Sequence, residues 1–267
     1  MKFSIGYQLT SVEDPPFSDI AADFGDCVCE VYFAAPGMPS GRSPLPDDPA
    51  SIERYEHDMA RLKAMGIKLN LLVNANCFGH LAMSRTLERC LGAELDNLDR
   101  IAGGIDSVTT TSPAAAEIIK RLRPGLHVRA SVNMRIGSVQ AMQYLGDTFD
   151  GYYLQRDYNR DLEHIDRMKS WTFLHGKTLH LLANSGCLRF CPAQTFHDNL
   201  VAHERDVGAE DNIPDFMPYA CWRLMKDREN WAAILQATWI RPEDLHHYEQ
   251  FFDVAKLATR LHDRPWV

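Results

Sequence analysis

The sequence predicts one (β/α)8 TIM-barrel-like domain spanning residues 1–267. Three observations predict it. Short apolar, β-branched runs alternate with helical patterns from end to end, with no low-complexity segment or long linker between them. Eight such repeats in 267 residues match the size and rhythm of that barrel. No Gly-rich phosphate loop follows an early strand, which counts against the nucleotide-binding form of the rival doubly wound sheet.

The elements follow in order. Lys2–Tyr7 reads as a first strand; it lacks the long apolar core and cleavage site of a signal peptide. Cys27–Ala34 is the second strand, and Ile52–Met65 the helix after it. Asp48-Pro49 supplies a cap and a first-turn proline if that helix begins a turn earlier. Lys68–Asn74 is the third strand, followed by a helix over Met83–Gly103; Ser107–Thr111 is the fourth. Ser112-Pro113, with Glu117 just beyond, opens the helix Pro113–Leu122. Strands His127–Asn133, Gly151–Arg156 and Thr178–Ala183 alternate with helices Ser138–Gly146 and Leu162–Ser170. A helix over Tyr219–Leu235 and a last strand at Ala237–Ile240 or Val254–Ala258 complete the set.

Composition narrows the function. Hydrophobic residues make up 45% of the chain and charged ones 24%, ordinary for a globular protein. A net charge of -8 disfavours nucleic acid as a partner and favours a small molecule or peptide. No apolar run is long enough to span a bilayer. Seven cysteines, an odd number, argue against a closed disulfide framework and for the reducing cytoplasm, where spaced cysteines more often bind metal or react.

The most informative segment is Asn184-Ser185-Gly186-Cys187-Leu188-Arg189-Phe190-Cys191-Pro192 at the end of the seventh strand. Gly186 allows a sharp turn and Pro192 stops regular structure, so both thiolates can point to one spot. Cys221 follows, and Cys77 ends the third strand; all four would face the rim where barrels place their sites. Thiolates select zinc or iron–sulfur clusters. Four cysteines at irregular spacing suit a [4Fe–4S] cluster; zinc is the alternative, although only one paired knuckle is visible. The cysteine-rich portion covers about residues 184–221. Cys90 reads as a core residue, and Cys27 and Cys29 as barrel packing, with either a substitute for Cys77 as fourth ligand. A radical S-adenosylmethionine loop needs a cysteine where Gln194 stands, so that class is disfavoured.

Other rim positions carry polar groups. Arg156 and Arg160 can clamp a carboxylate or phosphate. Asn159 and Asp161 read as caps of the helix from Leu162. Asn133 and Arg135 form either a polar wall or a hydrogen-bonded loop. His197 is a candidate ligand or proton carrier, or else orients its loop. Arg241 can reach the rim, though Arg241-Pro242-Glu243-Asp244 reads first as a helix start; His246 and His247 read as solvated. No serine elbow and no His-Glu-x-x-His helix are present.

The Gly-Cys-x3-Cys-Pro loop at Cys187 and Cys191, the strand-end Asn74-x-Asn76-Cys77-Phe78-Gly79, and the late Trp239-Ile240-Arg241-Pro242-Glu243-Asp244-Leu245 with Tyr248 and Lys256-Leu257-Ala258-Thr259-Arg260 resemble the collagenase-like peptidase superfamily, class U, family 32 (U32). Val31-Tyr32-Phe33 followed by Pro36-Gly37-Met38 is similar to its second strand and loop. The resemblance implies a TIM-barrel-like fold and, as in several members, a [4Fe–4S] cluster, with Cys187, Cys191 and Cys221 in the cluster region. It implies an oxygen-independent redox, hydroxylation or group-transfer reaction on a small molecule, peptide or nucleobase, with an electron donor or partner subunit. The cysteine block is shorter here than in the better-known members, and Cys77 has no obvious family counterpart. A metal-dependent or cysteine peptidase is the first alternative, and a zinc-held non-catalytic scaffold the second. With Cys77 outside the set, three cysteines would leave one iron open to substrate.

Overall fold

In a computed structural model, residues 1–11, 13–41, 48–214 and 219–259 are described; Arg260 of the late motif and residues 215–218 of the cysteine-rich portion lie outside them. Eight parallel strands close into a barrel in sequence order. They are β1 Lys2–Gly6, β2 Val28–Ala34, β3 Lys68–Val73, β4 Ser107–Thr110, β5 His127–Ala130, β6 Gly151–Tyr153, β7 Thr178–Leu182 and β8 Val254–Lys256. β8 pairs with both β7 and β1, so no sheet edge is left. The last strand is therefore the later of its two candidate segments. In the earlier one, single bonds from Thr238 and Ile240 to the carbonyls of Cys187 and Ala183 hold an extended segment beside the cysteine loop.

The helices are α1 Phe17–Asp23, α2 Pro49–Ala64, α3 Arg85–Ala102, α4 Pro113–Leu122, α5 Val139–Leu145, α6 Leu162–Leu174, α7 Gln194–Ala202, α8 Glu204–Ala209, α9 Ala220–Met225 and α10 Ala232–Leu235. Asp48 caps α2 by accepting from Ser51 N at 3.0 Å, so that helix does begin a turn before Ile52. Ser112 caps α4 and Asp161 caps α6, at 3.1 and 2.9 Å. The single helix expected over Tyr219–Leu235 is broken into α9 and α10. Asp227 caps the Glu229 N–H, and Asn230 takes the Leu224 carbonyl, which ends the first helix. None of the helices among the described residues is long and apolar enough to cross a membrane.

Alternation along the strands separates two environments. Val31, Phe33, Leu69, Leu71, Val108, Val128, Tyr152, Leu179 and Leu181 face the helices and build the apolar core. The intervening residues face inward and are largely polar. Glu30 on β2 meets Arg129 on β5 at 2.7 Å, accepts from Ser4 and Asn70, and Asn70 in turn accepts from Thr109. Burial pushes the Glu30 carboxyl up, but Arg129 and the Ser4 and Asn70 hydrogen bonds more than offset it and hold it below its usual range. Burial, with Arg129 and His127 adding to it, keeps the interior His180 imidazole well below its ordinary value.

Two cysteine expectations are corrected. Cys90 is exposed rather than core, because α3 turns Leu87, Leu91, Leu95 and Leu98 inward instead. Cys27 is exposed in the turn before β2, and Cys29 donates weakly to the Phe3 carbonyl at 3.5 Å. Both sit at the N-terminal end of β2, the opposite end from the rim, so neither substitutes for a rim ligand.

Arg129→Met should cost roughly 3–5 kcal/mol, because it leaves the Glu30 carboxylate buried and unpaired, and adding Glu30→Gln should restore much of the loss. Urea melts of the two variants decide it; a single-variant loss below about 1 kcal/mol would place the pair among weak surface bridges. A second prediction concerns α3. Burial, helped by the Glu56 carboxylate, pushes Glu94 up to about 7. A raised folded value means that the folded chain keeps a proton the unfolded chain releases. Stability is therefore full below the ordinary carboxyl value and falls as pH rises toward 7. Glu94→Gln should remove that fall and gain on the order of 2 kcal/mol at pH 8. A wild type as stable as the variant at pH 8 would disprove it.

Candidate functional site

The C-terminal ends of the strands carry two cavities. The larger, about 650 Å3, is lined by Cys187, Cys191, Cys221, Gln194, His197 and Tyr219, among others. That lies within the roughly 300–1,000 Å3 typical of small-molecule sites. Its cysteines come from the loop after β7 and from α9. They feel one another: burial pushes the Cys221 thiol up, and Cys187 and Cys191 push it further. Gln194, where a third loop cysteine would stand, is a buried part of the wall.

The β7 loop is fixed from below by residues after β6. Arg156 is 8% exposed, and its guanidinium donates to Cys187 Sγ at 3.1 Å, Ser185 Oγ at 3.2 Å and Asn133 Oδ1 at 3.1 Å. Its Nε is buried without a protein partner. Arg156 and Asn133, both candidates from sequence, thus form one unit against Cys187. β5 stops short of Asn133 because Ser131 caps a 3₁₀ turn, Val132–Met134. That turn carries Asn133 over the rim. Asp157, buried, accepts from the Phe190 N–H and from Gln155 Nε2 at 2.8 Å, while its carbonyl accepts from Arg189 at 3.0 Å. Phe190 sits at φ +54°, a left-handed conformation that a bulky residue adopts only when its surroundings require it. Here the Asp157 carboxylate supplies the requirement, since it captures the N–H of that residue. Thr238 closes the other side through the Ser185 and Cys187 carbonyls at 2.8 and 3.0 Å.

Other candidates are placed differently from expectation. Asn159 does not cap α6; its amide bridges the Leu182 and Thr238 carbonyls at 2.8 and 2.9 Å. The Arg160 guanidinium is taken by the Leu235 and Trp239 carbonyls. Arg135, at φ +53°, donates to Thr195 at 2.7 Å. Arg241 pairs with Asp244 at 2.8 Å on the surface. His197 faces the larger cavity with its ring edge-on to Tyr219, centroids 4.7 Å apart.

Cys77 does not line the cavity of the other three. It lines a second cavity of about 330 Å3, beside His203 and Asp206. Among the described residues, no three His, Cys, Asp or Glu side chains stand close enough to hold a single metal ion. One residue of the site had no sequence signal. Asp198, on α7, accepts from Asn76 Nδ2 at 3.2 Å; burial pushes its carboxyl up, against the pull of Arg156, His197 and Arg135. Only an amphipathic pattern over Gln194–Ala202 could have pointed to it.

No protein-family model matches the chain. It is 26% identical over 243 residues to a protein named as an uncharacterized protease, MJ1657, of Methanocaldococcus jannaschii, a match covering 89% of this chain and 69% of that one. The structure of the U32 peptidase Mk0906 matches with a TM-score of 0.65 over 97% of this chain and 93% of that one, at 16% identity. The chain resembles the U32 peptidases. At that identity the structural likeness is one of fold, and it agrees with the fold that the sequence motifs imply.

Asp157→Ala should destabilise the fold by about 2 kcal/mol, since it strands the Phe190 N–H and the Gln155 amide. It should also speed alkylation of Cys187 and Cys191. An unchanged melt together with unchanged labelling would show that the carboxylate does not hold the loop.

Proposed function

We propose that Cys187, Cys191 and Cys221 hold a [4Fe–4S] cluster, and that the chain is a U32-related enzyme whose substrate, a small molecule or peptide segment, binds in the larger cavity. One observation carries this reading: three cysteines from two separate segments converge on one cavity, with a buried guanidinium already on one of the sulfurs. The donor set suits iron–sulfur chemistry better than a single ion. A cubane separates its thiolates by its own width, so thiols too far apart for one metal ion can still hold four irons. When bound, such a cluster supplies electrons or a binding position at the iron that no cysteine holds.

The chain's own groups do the rest. Arg156 keeps Cys187 in place and lends it positive charge. Asn133, fixed by Arg156, holds its amide beside Gly41, which lines the cavity. His197 on the wall can take or give a proton, and Asp198 behind it is a carboxyl on which burial favours the protonated form. The net charge of -8 favours a small or peptidic substrate over RNA.

Protein purified without oxygen should be brown, with about four irons and four sulfides per chain. Cys187→Ser, Cys191→Ser and Cys221→Ser should each lose most of the iron, and Cys77→Ser should keep it. A colourless protein with stoichiometric zinc would sink the cluster, and iron loss in Cys77→Ser would return that residue to the ligand set.

A further inference from the structure

Two asparagines at the barrel rim have their amide groups oriented by their neighbours. Asn74 Oδ1 accepts from the Gly41 N–H at 3.0 Å and from Ser40 Oγ at 3.3 Å. Asn133 Oδ1 accepts from the Arg156 guanidinium at 3.1 Å. The Gly41 N–H and the guanidinium can be met only by an oxygen, so each asparagine turns its NH2 group the other way. Both nitrogens then converge. A methyl group on Gly41 would stand 3.4 Å from Asn133 Nδ2 and 3.5 Å from Asn74 Nδ2. The Asn74 carbonyl, 3.2 Å from the same position, sets the limit on its own side. Gly41 lines the larger cavity, and neither amide nitrogen donates to a protein group among the described residues. Two more donors are unpaired close by. Arg156 Nε and Gln194 Nε2 are buried without a protein partner, on side chains that are themselves more than nine-tenths buried. Gln194 lines the same cavity, and Arg156 is bonded to Cys187 in its wall. Buried N–H groups are nearly always paired, so this surplus of donors calls for a ligand rich in acceptors.

We propose that the substrate of the larger cavity carries a carboxylate, and that its oxygens sit beside Gly41 against the Asn74 and Asn133 amides, with the Arg156 charge behind them. This names a substrate class for the cavity; it rests on the reading that substrate binds there, and not on the cluster. A carboxylate accepts from several donors in one plane, enough for both amides and one donor more. Arg156 supplies a single positive charge through Asn133, which matches a monoanion. A phosphate monoester fits less well. It carries about two negative charges at pH 7, and Glu204 already lines the cavity. The rest of the substrate meets Leu188, Tyr219 and Trp222, so the body behind the carboxylate is apolar. Glycine at position 41 leaves the space that the carboxylate fills.

Isothermal titration of the full chain, purified without oxygen, tests this with three probes of similar shape: benzoate, benzamide and phenyl phosphate. Benzoate should bind one to one, and about tenfold or more tighter than either of the others. Asn74→Asp and Asn133→Asp keep the oxygen that Gly41 and Arg156 need and replace only the NH2 group, so each should weaken benzoate about tenfold or more. Gly41→Ala adds no charge but fills the space, and should weaken it as much. Circular dichroism checks that the three variants fold. Benzamide binding as tightly as benzoate, phenyl phosphate binding more tightly, no saturable benzoate binding, or benzoate affinity unchanged in both aspartate variants each overturns the proposal. Iron and sulfide are counted on the same samples. A brown protein that ignores benzoate sinks the carboxylate site alone, and a colourless one that binds benzoate in this way sinks the cluster alone.

Discussion

The barrel turns on a largely buried charge pair. Arg129 on β5 and Glu30 on β2 meet across the interior, and Ser4, Asn70 and Thr109 extend the network over three more strands. A pleated strand that slipped by one residue would carry its charge to the apolar face and its apolar residues inward. Desolvating a guanidinium and a carboxylate is costly, and only this one register pairs them. The pair is therefore better understood as fixing register than as a source of net stability. Strand ends then fall at set heights, and so do the loops that leave them.

A second buried guanidinium does for the rim what Arg129 does for the barrel. Arg156 leaves the short β6 at the height of the β7 loop and binds Ser185, Cys187 and Asn133 together. Its neighbour Asp157 takes the Phe190 N–H and so selects a left-handed turn that the side chain alone would avoid. Cys191 follows that turn directly. Two successive residues of opposite charge thus aim the two cysteines of one loop. The strain at Phe190 is stored where the chain must reverse within the three residues that separate Cys187 from Cys191.

Much of this was legible in the sequence because it is local. The β-branched runs begin where the strands begin, and Asp48, Ser112 and Asp161 mark helix starts by their own side-chain chemistry. The Cys187–Cys191 loop announced itself through Gly186 and Pro192. What was not legible depends on contacts between distant segments. Asn159 has the composition of a cap, yet it serves as a bridge because Thr238 returns beside β7. Cys77 stands at a strand end like a rim ligand, but it lines a separate cavity with His203 and Asp206 of the α7–α8 junction, neighbours that no spacing rule could supply. The break between α9 and α10 follows from two side chains that compete with the helix for backbone groups, a competition that apolar periodicity does not register.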